Sequence, residues 1–94
     1  MTQQYLIGEL SVRLEQLQAA AAGGPAQDVA RLRRQVETGP MTGLACAADR
    51  ALALADSLCW DSLCRGDVAA FTRQARLSAD LRLFGVCARL LTDG

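Results

Sequence analysis

Histidine and lysine are both absent from the chain, and there are only two prolines, one tryptophan, one tyrosine and two phenylalanines. Without histidine, no side chain has an ordinary pKa suited to proton transfer near neutrality. Zinc also loses its imidazole ligands. No uninterrupted apolar run exceeds five residues, far short of the ~20 that a membrane-spanning helix requires. The start, MTQQYLIGEL, lacks the basic segment and long apolar segment of a secretory signal, so the expected address is the cytoplasm, where thiols stay reduced. No glycine-rich phosphate loop is visible, and no Ser or Cys sits in a nucleophile motif. The acids are scattered over polar faces. No catalytic residue can be nominated, and the expectation is a protein that is not an enzyme and carries no cofactor.

β-Branched residues are also sparse. Hydrophobic residues make up 51% of the 94 positions, and most are Ala and Leu. These are strong helix formers, whereas sheets favour the types that are scarce here. Composition therefore predicts an all-α fold, and the length predicts one domain over residues 1–94. A chain of this size buries somewhat over ~60% of its unfolded surface, enough for a real but thin core.

The ten basic residues are all arginine, and ten acids balance them to a net charge of zero. An all-arginine set fits a GC-rich coding sequence and points toward a bacterial source. A neutral chain has no overall field to steer it to nucleic acid or an anionic membrane, so neither is the expected partner.

Glycine and proline mark three breaks, at 21–27, 38–43 and 65–67. They leave helical segments at roughly 3–21, 26–37, 42–65 and 67–92. Gly23 and Gly24 can end the first helix, and Pro25 suits the first position of the second. Ile7, Leu10, Leu14, Leu17 and Ala21 recur at spacings of 3 and 4 and form one face. Tyr5, Val12 and Ala19 form a smaller stripe nearly opposite. Val29, Leu32 and Val36 give the short second helix a single face.

The third and fourth segments each carry two apolar stripes. On the third, Leu44, Ala48, Ala51, Ala55, Leu58 and Ser62 make the main seam. Cys46, Ala53, Ser57, Trp60 and Cys64 make another. On the fourth, Leu77, Leu81, Phe84, Ala88 and Leu91 are opposed by Val68, Ala75, Ala79, Val86 and Leu90. The tripeptide Arg65-Gly66-Asp67 matches an adhesion motif, but each residue has a local task. Arg65 stands near a helix C-terminus, Gly66 just past it, and Asp67 at the N-cap of the next helix. The two segments should then form a tight antiparallel hairpin, with Val68 level with Cys64, Ala79 with Ala53, and Val86 with Cys46. The second stripes either zip together or stay outside to meet another chain.

Four cysteines invite a metal reading, but there is no Cys-x-x-Cys pair. Cys46 and Cys59 lie roughly 20 Å apart along one helix, and Cys59 and Cys64 point in different directions. No metal site is expected. Cys46 and Cys87 are nearly level in the hairpin and form the one conceivable thiol pair, given Cα atoms within about 7 Å. Otherwise the thiols are expected in the core as small hydrophobes. Trp60 is expected in the core under another helix, with an interface role as the competing reading.

The predicted architecture is a small four-helix bundle, up-down-up-down, with a short second helix and a long antiparallel hairpin of helices three and four. The rival has helices three and four as a central layer. Two apolar faces per helix exceed what a bundle needs. The surplus suggests a non-catalytic interaction or regulatory module, acting as a two-fold homodimer or on another helical protein. Its interface candidates are Tyr5, Val12, Trp60, Val68, Val86 and Leu90. One alternative is a nucleic-acid-associated accessory protein with phosphate contacts from Arg31, Arg33 and Arg34, joined by Arg13 or Arg76. Another is a small apolar-ligand-binding bundle with an enclosed pocket beside Trp60.

Overall fold

The computed structural model describes residues 2–21, 23–38 and 43–93, with side chains between residues 4 and 90 of those ranges. Four helices follow in order: α1 (Thr2–Ala20), α2 (Gly24–Thr38), α3 (Leu44–Cys64) and α4 (Val68–Asp93). They form an up-down-up-down bundle. α3 packs most extensively on α4 and α1 on α2, while α1 with α4 and α2 with α3 close the ring. The bundle is flattened, with extents of 41 × 23 × 16 Å. No described helix is long and apolar enough to cross a membrane.

Each helix buries one stripe. On α1 it is Leu6, Leu10, Leu14 and Leu17; Ile7, expected at its head, packs only at the edge. Leu6 and Ile7 flank the Leu10–Leu14–Leu17 line on either side, and the bundle covers the Leu6 side. α2 contributes Val29, Leu32 and Val36. α3 turns small residues inward, namely Ala47, Ala48, Ala51 and Ala55, and keeps Leu52, Leu54 and Leu58 on the flanks. Alanine at the contact lets helices approach closely, and the wider flanking leucines then seal the joint. α4 buries Leu77, Leu81, Phe84 and Ala88; Leu91 lies outside the described side chains.

The joints explain the breaks. Gly23 takes φ +64, and its carbonyl accepts the Gln27 N–H at 3.2 Å. Thus α2 begins at Gly24, and Pro25 occupies the second helical position rather than the first. Proline fits there too, because that N–H has no intrahelical partner. Most of the 38–43 break falls outside the described residues.

The α3–α4 turn is a Schellman motif. The Asp67 N–H reaches the Ser62 carbonyl at 2.9 Å, and the Gly66 N–H reaches Leu63 at 3.0 Å. Gly66 has φ +75, the left-handed value this motif needs. Asp67 Oδ1 accepts the Ala70 N–H at 3.1 Å and so caps α4. All three residues of the tripeptide are thus engaged in the turn. The connection is the expected three residues, 65–67, and farther along the hairpin Ser78 donates to Asp56.

Candidate functional site

The second stripes do not zip together. Cys46, Ala53, Ser57, Trp60 and Cys64 on α3 are all exposed, as are Val68, Ala79, Val86 and Leu90 on α4. Only Ala75 is half-buried. The cause is angular. At about 100° per residue, these positions lie nearly opposite the Ala-lined core stripe of α3 and the Leu77–Leu81 stripe of α4.

Trp60 is 67% exposed, which corrects the expectation that another helix covers it. Its indole stands at a shallow open cleft of about 260 Å³ between α3 and α4. Leu63, Phe71, Ala75 and Ala79 share the lining, and Asp56, Ser78 and Arg82 close the polar end. There Ser78 donates to Asp56, and Arg82 Nη2 lies 3.7 Å from Asp56 Oδ2. Two turns further along, Arg89 pairs with Asp49. The cleft is open, in contrast to the enclosed pocket that a small apolar ligand would need.

Leu63 and Leu83 add to the exposed apolar surface. Sequence reasoning missed both, although each lies three positions from a residue that it singled out, Trp60 and Val86. Tyr5 and Val12 are also exposed, but on the outward side of α1, away from the hairpin face. The six interface candidates therefore divide between two surfaces.

The arginines are dispersed. Arg33 turns to α1, donating to Gln18 Oε1 at 3.0 Å and to Glu15 Oε1 at 3.2 Å. Arg31 lies exposed, 3.8 Å from Asp28, and Arg34 is exposed. Arg13 is built into the bundle. Its Nη1 bonds Glu9 Oε2 at 2.8 Å, its Nη2 bonds Asp80 Oδ1 at 3.1 Å, and its guanidinium lies 5.4 Å from the Phe84 ring centre. Its Nε comes within 2.9 Å of Asp80 Oδ2 as an ion pair without hydrogen-bond alignment. Burial works to lower the Arg13 pKa, but the bonds and charges of Glu9 and Asp80 outweigh it and hold the pKa above its ordinary value. Arg31, Arg33 and Arg34 thus do not form one basic face with Arg13.

Cysteine placement departs from expectation. Only Cys59 is buried; Cys46, Cys64 and Cys87 are exposed, and all four are free. Burial, and after it the charge of Asp56, pushes the Cys59 thiol pKa up. Cys46 and Cys87 are both exposed, on different sides of the hairpin. Cys87 stands two turns beyond Asp80, on the side of α4 that pairs with Arg13 of α1. Arg82 and Arg89, which pair with α3, occupy the opposite side. Within one chain the two side chains thus point apart, and both thiols are free. Among the described residues, no group of three His, Cys, Asp or Glu side chains could hold a metal ion.

Comparison with protein-family models, with curated proteins and with solved structures finds no match to this chain.

Proposed function

We propose that this protein is a non-catalytic helical interaction module that works as a homodimer through the outer face of the α3–α4 hairpin. One observation carries the reading: the only tryptophan stands 67% exposed at a cleft it shares with Leu63, Phe71, Ala75 and Ala79, and Val68, Val86 and Leu90 are exposed on the same hairpin. Large exposed apolar groups occur singly on ordinary surfaces, but a contiguous set around a tryptophan marks a contact site. The set is spread over two rigid, antiparallel helices whose own core is already complete. Much of its apolar surface is therefore left uncovered in the single chain and is available for a partner. A second copy is the most economical partner, because one patch then serves both sides of a two-fold contact.

The tryptophan supplies its own probe. Its emission is expected to shift to shorter wavelength as concentration rises through the dimer's dissociation constant, because the partner covers the indole. Emission typical of solvent-exposed tryptophan at every concentration, up to hundreds of micromolar, would contradict the reading.

A further inference from the structure

The outer stripe of α4 is symmetric about Leu77. Val68 and Val86 lie nine positions to either side, and Ala75 and Ala79 lie two positions to either side. At about 100° per residue, all four fall within about 20° of one line along the helix. That line points away from the buried stripe of Leu77, Leu81 and Phe84. Turned end over end, the sequence of side chains along it reads the same: Val, Ala, Ala, Val.

Resting on the homodimer reading, we infer that the second copy packs antiparallel on α4 across a two-fold axis level with Leu77. Val68 then meets the partner's Val86, and Ala75 meets the partner's Ala79. A two-fold contact needs a surface that complements itself, and this stripe does so position by position. The alanines sit at the centre, where the helix axes come closest, and the valines fill the wider gap on either side. Trp60 lines the cleft beside Ala75 and Ala79, at the edge of this seam, where a second copy would cover it.

Charge selects the same orientation. Arg76 and Asp80 lie one turn apart on the flank of the stripe that faces α1. Arg76 is exposed and takes part in none of the ion pairs of the described residues. Asp80 keeps 44% side-chain exposure beside Arg13. In an antiparallel two-fold pair, each flank faces its own copy. Arg76 then comes within about 3 Å along the axis of the partner's Asp80, inside the reach of its long side chain, and symmetry repeats the pair. A parallel pair would set Arg76 against the other flank, which carries Arg82 and Arg89. Like charges there oppose association.

Cross-linking tests the register. In a full chain carrying C46S, C64S and C87S, Ala75→Cys and Ala79→Cys variants are prepared separately, mixed, equilibrated and mildly oxidised. The mixed pair is expected to cross-link several-fold more than either variant alone, because positions 75 and 79 come level while identical positions are offset by about 6 Å. As a second measurement, Ala79→Glu in the otherwise native chain is expected to give a monomer of unchanged helicity, while Val12→Glu on α1 leaves the dimer intact. If the native chain is a dimer but the mixed pair shows no preference and Ala79→Glu still dimerises, the α4 seam is overturned and the homodimer stands. A native chain with the mass of one copy overturns both.

Discussion

Ser62 Oγ donates a 2.6 Å hydrogen bond to Gln74 Oε1, and both side chains are buried where α3 and α4 meet near their turn. Arg65 Nη2 lies 3.4 Å from the same Ser62 oxygen. A buried acceptor that loses its donor keeps its full desolvation cost. Ser62→Ala is therefore expected to destabilise the chain by about 1–3 kcal/mol. Ser62→Ala combined with Gln74→Leu should recover most of that loss, since both polar partners leave together. Urea denaturation of the two variants decides it, and a double variant as unstable as the single one would contradict the account.

The hairpin turn gives a purely conformational test. Gly66 has φ +75, and an added Cβ would meet nothing within 4 Å. Gly66→Ala therefore carries only the cost of the left-handed backbone, roughly 1 kcal/mol. Asp67→Ala removes the α4 cap and should cost about 1 kcal/mol as well. Thermal unfolding followed by circular dichroism reads both. No effect from Gly66→Ala would mean that the turn adopts another geometry in solution.

Cys59 predicts an alkaline effect with a definite sign. Its folded pKa is raised above the ordinary value of 9.0 by burial and then by Asp56. Above pH ~9, the unfolded chain gives up this proton while the folded chain keeps it, so stability falls as pH rises through that window. Below it, both states are protonated and the group contributes no slope. Cys59→Ala should show a shallower loss of stability between about pH 8.5 and 10 than the native chain. In the same fold, a thiol reagent at neutral pH should modify three cysteines quickly and Cys59 only on unfolding.

Trp60→Ala separates assembly from folding. Because the indole is mostly exposed in the single chain, its loss should change monomer stability by no more than about 0.5 kcal/mol. A tryptophan covered by a partner is worth about 2 kcal/mol, so the dimer should weaken by roughly thirtyfold. Sedimentation equilibrium and far-ultraviolet circular dichroism measure the two quantities. Equal loss of both would place Trp60 in the monomer's structure after all.

Helical periodicity was a sufficient guide to the fold. The stripes of Leu10, Leu14 and Leu17, of Val29, Leu32 and Val36, and of Leu77, Leu81 and Phe84 are all buried as their spacing requires. Turn chemistry placed Gly66 and Asp67 correctly, because only a few residues suit those backbone positions. Whether the second apolar stripes of α3 and α4 meet each other or stay outside is harder to read. Spacing gives the angle between Trp60 and Ala51 but not the direction of the neighbouring helix. The alanine-lined main seam of α3, with Leu44, Ala48, Ala51, Ala55 and Ser62, is buried as its spacing requires. Cys46 and Cys87 illustrate the same limit, since level positions were evident and azimuth was not. Arg13 looked like a surface charge until Glu9, Asp80 and Phe84 gathered around it from two helices.

Molar mass in solution, by light scattering coupled to size exclusion with and without reductant, tests the central claim most directly. The account predicts a mass near 20 kDa, twice the 10.0 kDa of one chain, that is unchanged by reductant. A mass near 10 kDa at hundreds of micromolar would contradict it and leave the outer face of the α3–α4 hairpin without a second copy to cover it.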